Sequence, residues 1–273
     1  NTNLEGWYFA FSSFGGCPLK VDSVEITVAP LPTTDLSSAT ICLGQSVDVN
    51  ISPVDNYSWN LMEGVVFTDN AAGSSANLSP TINTHYIVSN ANGCNVSIQI
   101  NLLPLPEPVI NVSSLQGCAP FFVQFTDNTV EPLSFQWNFG DGGTSINESP
   151  GHTFLGGSND TTYLVTVTVT DNNGCTNTSP FYIQTMLPAV ASFTANPISQ
   201  IFPDASVTVN NTSSGSGNLS AQWLWDNTTE NTFTNLSHTF STWGDYDITL
   251  IIQNEWCSDT ATQTITILPP AAI

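Results

Sequence analysis

Gln136-Trp137-Asn138-Phe139-Gly140-Asp141-Gly142 decides the fold. Trp137 and Phe139 alternate with polar residues, so period two puts both rings on one face of a strand. The Gly-Asp-Gly that follows reads as a tight turn, with glycine supplying positive φ. His152-Thr153-Phe154 comes next, and then an alternating run from Tyr163 to Val169. The strand and histidine segments return 86 residues later, as Gln222-Trp223-Leu224-Trp225-Asp226 and His238-Thr239-Phe240, without the full Gly-Asp-Gly turn. A group that recurs at a fixed offset marks a tandem repeat, and that decides how every other segment is read.

The cysteines keep the same beat. Cys17, Cys94, Cys175 and Cys257 stand 77, 81 and 82 residues apart, and three of them close the turns Gly15-Gly16-Cys17, Asn92-Gly93-Cys94 and Asn173-Gly174-Cys175. A proline follows each: Pro30, Pro104, Pro188 and Pro269. Further alternating runs rich in Val, Ile, Thr, Phe and Tyr cover Val24–Val28, Val47–Val49, Phe121–Phe125, Val207–Val209, Tyr246–Ile252 and Thr264–Ile267. Short strands at this spacing, separated by Asn/Asp/Gly/Ser turns, indicate β-sandwiches. The proline-rich stretches place boundaries. Residues 1–30 read as the last strands of a truncated module, followed by modules at 31–105, 106–188 and 189–269, with 270–273 as a linker onward. Linkers this short and proline-stiffened are expected to hold neighbours close.

Composition narrows the function classes. The chain has one lysine (Lys20), no arginine, 22 acidic residues and a formal charge of −21. Such a charge repels phosphate backbones and anionic bilayers, which argues against nucleic-acid binding. No apolar run reaches the length that membrane insertion needs. Charged residues make up only 8%, so Asn, Ser and Thr must carry solubility, a choice that suits exposed strands more than exposed helices. Six cysteines, none in a C-x-x-C pair, point to disulfides and an oxidising compartment rather than to zinc.

The motifs resemble the PKD family, whose pattern is W-x-F-G-D-G, then H-x-[YF], then Y-x-V-x-[VL]. Residues 106–188 fit throughout, including Gly117-Cys118-Ala119-Pro120, and 189–269 fit in part. Residues 31–105 are similar to an Ig-like repeat, in Cys42-Leu43-Gly44, Tyr57-Ser58-Trp59, Thr84-His85-Tyr86-Ile87-Val88 and Asn92-Gly93-Cys94. The resemblance implies an all-β chain of tandem Ig-like/PKD β-sandwich modules in an elongated array. Mixed arrays of this kind look like the giant surface proteins of Bacteroidota, exported by type IX secretion and used as adhesins or gliding filaments. The expected function is a non-catalytic stalk segment of an extracellular cell-surface adhesin. Its partners would be neighbouring modules of the same long chain, and surface polysaccharide or another protein. The competing reading is a carbohydrate-binding accessory region of a secreted polysaccharide-degrading enzyme.

His152 and His238 share a repeat position and His85 sits before a strand aromatic, so all three read as structural. No nucleophile, zinc or phosphate-loop motif is present, and no cofactor is expected. Glu107 at the start of strand A, Asp127 at the end of strand B and Asp171 at the end of strand F would share one end of the sandwich, where three carboxylates could take calcium. Trp243 and Trp256 would lie at opposite ends of one strand. They therefore cannot form one sugar platform, and burial at a module junction is the favoured use of Trp256. Ser23, Thr161 and Thr260 stand in Asp-[Ser/Thr] triplets similar to the O-glycosylation pattern of Bacteroidota.

With ordinary Ig strand order, Cys42 and Cys118 precede strand B at one end of their sandwiches, while Cys94 and Cys175 follow strand F at the other. Strand F spans roughly 30 Å, whereas a disulfide needs Cα atoms within about 7 Å. Pairing inside a module therefore fails. A staggered scheme is expected instead, Cys42 with Cys175 and Cys118 with Cys257, leaving Cys17 and Cys94 to partners upstream of residue 1. Lys20 bears on rigidity as well, because a single lysine excludes Lys–Asn isopeptide cross-links from the later modules. Trypsin is accordingly expected to cut denatured chain after Lys20 alone, giving two fragments by mass spectrometry. Several fragments would contradict this reading.

Overall fold

The computed structural model describes residues 6–12, 20–26, 31–69, 72–225 and 228–270, and these contain strands, turns and loops without a helix. The chain divides into two compact units, Asn1–Leu105 and Pro106–Ile273. The first holds an antiparallel hairpin, β1 (Gly6–Ser12) with β2 (Lys20–Ile26). Its sandwich follows: β3 (Thr33–Thr34), β4 (Ser38–Cys42), β5 (Val47–Ser52), β6 (Ser58–Trp59), β7 (Val65–Phe67), β8 (Ser75–Leu78), β9 (Thr84–Ser89) and β10 (Asn95–Leu103). These form the sheets β4-β10-β9-β6 and β3-β5-β8-β7, with β4 running parallel to β10.

The second unit holds two sandwiches of one topology. The first has β11 (Ile110–Val112), β12 (Gln116–Cys118), β13 (Phe121–Asp127), β14 (Pro132–Asn138), β15 (Thr144–Ser145), β16 (Gly151–Phe154), β17 (Thr161–Asp171) and β18 (Thr176–Met186). The next has β19 (Phe193–Asn196), β20 (Ser199–Ile201), β21 (Ser206–Asn211), β22 (Ser220–Trp225), β23 (Thr228–Glu230), β24 (Leu236–Thr239), β25 (Gly244–Gln253) and β26 (Ser258–Leu268). In each, a three-stranded sheet (β11-β13-β16; β19-β21-β24) faces a five-stranded one (β12-β18-β17-β14-β15; β20-β26-β25-β22-β23). The protein is thus an all-β series of Ig-like and PKD-like sandwiches, each with its own core.

Alternation builds those cores. In β17, Val165, Val167 and Val169 are fully buried while Thr166 and Thr168 face outward. Ile248, Leu250 and Ile252 do the same in β25. Each such side chain contributes about 1.5–3 kcal/mol, and a one-residue slip would turn the whole set to water. One tryptophan anchors each sandwich. The indole Nε1 donates to a carbonyl across the core: Trp59 to Gly73 at 3.0 Å, Trp137 to Asn147 at 2.9 Å and Trp223 to Thr232 at 3.1 Å.

The turn after β14 is as the sequence suggests. Gly140 and Gly142 have φ of 80° and 95°, and a Cβ on Gly140 would lie 2.5 Å from the Leu164 carbonyl oxygen. Asp141 is held by the Gly143 N–H at 2.9 Å and by His152 Nε2 at 2.7 Å. His152 in turn stacks on Phe139, with centroids 4.0 Å apart and planes at 7°. His238 repeats the stack on Trp225, at 5.0 Å and 15°. Both histidines therefore tie a strand to the core aromatics, which is a structural role.

Two stability outcomes follow from these contacts. Trp225 occupies the place of Phe139, and its Nε1 is buried with no hydrogen-bond partner among the described residues. An orphaned buried donor is costly, and removing it regains that cost. Trp225→Phe is therefore expected to destabilise less than Trp223→Phe, by about 1 kcal/mol, in urea unfolding. Equal or reversed losses would contradict the bonding seen here. For Asp141, burial works to raise the pKa, but the bonds from His152 and Gly143 and the nearby His152 charge together hold it below the ordinary 3.8. A depressed carboxylate stabilises the fold above its unfolded pKa and loses that contribution as pH falls through the folded value. Asp141→Asn should cost less than about 1 kcal/mol at pH 7, and the gap should close below about pH 4. A gap that persists unchanged once the carboxyl is protonated would show that the carboxylate is not stabilising.

Candidate functional site at a sandwich junction

The site begins with a turn that recurs in every sandwich. Asn90, Asp171 and Asn254 close the turn between the last two strands, and each accepts the backbone N–H of the cysteine that follows. The distances are 3.0 Å for Cys94, 2.9 Å for Cys175 and 2.6 Å for Cys257. A second bond returns from the same residue's N–H to the cysteine carbonyl. The turn thus holds one cysteine per sandwich in a fixed place. For Asp171, burial pushes the pKa up, but the N–H groups of Cys175 and Asn173 outweigh it and the net shift is downward.

The complementary cysteine stands at the opposite end. Cys118 closes β12, opposite Met186 at the end of β18. Cys175 precedes the same eleven-residue strand, which at about 3.3 Å per residue separates the two far beyond disulfide reach. Cys118 is instead bonded to Cys257 of the next sandwich, with Cα atoms 5.7 Å apart. Cys42 ends β4 in the same register, opposite Leu103, and both Cys42 and Cys175 are disulfide-bonded. Cys94 is a free cysteine among the described residues, and Cys17 lies outside them. In the third sandwich the register places Ile201 where Cys42 and Cys118 stand.

Around Cys118–Cys257 the linker is bound on both sides. The Leu187 N–H donates to Asp160 at 2.8 Å, the Ser216 hydroxyl donates to the Leu187 carbonyl at 3.1 Å, and Asn254 Nδ2 donates to the Ser216 carbonyl at 3.0 Å. Further along, the Ala191 N–H donates to Asp259 at 2.8 Å. Asp160 has a lowered pKa, first from the Leu187 N–H and then from the Ser216 hydroxyl. Ala189 is buried, and Cys118 and Met186 pack onto the core of the third sandwich. Gly215 lets the chain pass: a Cβ there would lie 2.9 Å from the Ala189 Cα.

Beside the disulfide a groove of about 290 Å³ is lined by Asp160, Met186, Ser216, Gly217, Asn218, Asn254, Glu255 and Trp256. Trp256 keeps 44% of its surface exposed. It sits at the junction, as strand order implies, but lines an open groove rather than being buried. Trp243 is 60% exposed at the other end of β25. Asp160 was visible in the sequence only as part of a triplet. Its role in fixing the linker depends on Leu187, which folding brings near, so no local pattern could show it.

The carboxylates proposed for calcium do not come together. No group of three or more His, Cys, Asp or Glu among the described residues could hold an ion. Asp127 accepts from the Thr129 N–H and hydroxyl, Asp171 caps its turn, and Glu107 lies in the linker before β11. Turn donors hold one oxygen of Asp127 and both of Asp171. Of the glycosylation candidates, Ser23 in β2 and Thr260 in β26 are exposed, while Thr161 at the start of β17 is half-buried and donates to the Asn159 carbonyl.

Residues 105–185 match the PKD domain family. Two similar solved structures are the PKD1 domain of Vibrio anguillarum Epp and that of the Vibrio cholerae metalloprotease PrtV. Each is 25% identical and covers 30% of this chain, with TM-score 0.25, and the match spans 93% and 96% of their own chains. An I-band fragment from titin is 14% identical over 89% of this chain and 100% of its own, with TM-score 0.41. No curated protein matches the chain. PKD and Ig-like domains are typically non-catalytic modules, and with disulfides they are typical of extracellular proteins. No helix among the described residues is long and apolar enough to cross a membrane.

Proposed function

We propose that the chain is a load-bearing structural segment, a stalk or filament portion of a large extracellular surface adhesin like the Bacteroidota proteins its repeats resemble. Its modules would be residues 31–105, 106–188 and 189–269. The observation that carries this reading is the Cys118–Cys257 bond, which closes 139 residues across a junction. A bond inside one module would leave the junction free to open, whereas this one transmits load from one sandwich to the next. In the chain-entropy picture a closed loop of this length is worth about 5 kcal/mol. Neighbouring modules of the parent chain are then its first partners.

Pulling the chain by its ends in an optical trap tests the proposal. In a Cys42→Ser/Cys175→Ser variant, with Cys118–Cys257 intact, the loop of 139 residues that this bond closes should contribute no extension. Reduction should add about 45–50 nm of contour length at about 0.35 nm per residue. Equal extension before and after reduction would overturn the load-bearing role.

A further inference from the structure

We infer that the junction groove beside Cys118–Cys257 is a binding subsite for one ring of an uncharged saccharide. This goes beyond the stalk reading and does not depend on it. Trp256 supplies a half-exposed indole on one wall, and an exposed aromatic face packs against the C–H face of a sugar ring while excluding water from it. The same groove carries polar groups of both kinds. The Asn218 amide and the Glu255 carboxylate make no hydrogen bonds among the described residues, so both a donor pair and an acceptor pair are open to ring hydroxyls.

The remaining lining groups are already committed, which makes the subsite preformed. Asn254 is fixed by the Trp256 and Cys257 N–H groups, at 2.9 and 2.6 Å, and by its own bond to Ser216. The turn that positions the cysteine therefore also positions the indole. The disulfide and the Asp160–Leu187 bond hold the two walls at a fixed separation. A groove of about 290 Å³ is at the small end of ligand sites, which suits a single ring or chain end rather than a long oligomer.

Charge fixes the rest of the specificity. The groove is lined by Asp160 and Glu255 and by no cationic side chain, so uronates, sulfated sugars and phosphates are repelled. A hard cation fits poorly, because calcium takes six to eight oxygens and Asp160 is already drawn onto the Leu187 N–H.

The test is saturation-transfer NMR and calorimetry on the full chain. The probes are methyl α-mannopyranoside, methyl β-galactopyranoside, methyl β-N-acetylglucosaminide and cellobiose, with galacturonate as the charged control and EDTA present. At least one neutral sugar should bind and galacturonate should not. Trp256→Ala should weaken binding about tenfold or more, while Trp243→Ala leaves it unchanged and Trp256→Phe retains most of it. Matching thermal melts of the two alanine variants separate loss of the subsite from loss of the fold. Binding by none of the neutral sugars, or binding that survives Trp256→Ala, overturns the inference. Neither result touches the pulling experiment.

Discussion

The bond between Cys118 and Cys257 is the constraint on which the second and third sandwiches depend. It works because two features inside the sandwiches are rigid. The Asn254 turn delivers one sulfur, and the parallel pairing of β12 with β18 delivers the other. The turn is held by the Asn254 side chain together with a backbone bond to the Cys257 carbonyl, and the strand pair by its ladder, so the sulfurs meet with little ordering left to do. The linker then has a fixed span to cross, and Asp160, Ser216 and Asp259 bind its backbone along the way.

The sandwiches reuse one solution with local changes. The strand tryptophan and its carbonyl partner recur in all three. The layer beneath it varies: Phe139 under His152 becomes Trp225 under His238. That larger ring fills its space at the cost of an unbonded indole N–H. Asp69, Asp127, Asp141 and Asp171 serve as turn caps. Asp69 shows this best, accepting the N–H groups of Gly73, Ser74 and Ser75 together with the Ser74 hydroxyl. Burial alone would raise its pKa, but these four bonds bring it below the ordinary value. A chain with almost no cations can keep its carboxylates ionised in this way without ion pairs.

Much of the fold was legible because period-two alternation is a local signal. Val165, Val167 and Val169 announce their shared face in seven residues of sequence. The Cys118–Cys257 bond was reachable by a longer argument, since strand direction alone places Cys118 and Cys175 at opposite ends of β18. What failed was anything that depended on which donors fold near a carboxylate. Glu107, Asp127 and Asp171 looked like a cation cluster from strand order, but they form no such group among the described residues, and sequence could not show that Asp127 would turn to Thr129 and Asp171 to Asn173 and Cys175. The linker role of Asp160 and the groove under Trp256 were hidden for the same reason. Both arise where two sandwiches meet, and no single segment encodes that meeting.

The central claim is that the second and third sandwiches move as one body because the junction is stapled and its linker bound. Amide nitrogen relaxation on the oxidised protein tests this most directly. The account predicts one rotational correlation time for strand residues of 110–186 and 193–268, with linker amides at 187–192 as ordered as the strands. Two distinct, shorter correlation times, with elevated motion at Leu187–Ser192, would contradict it.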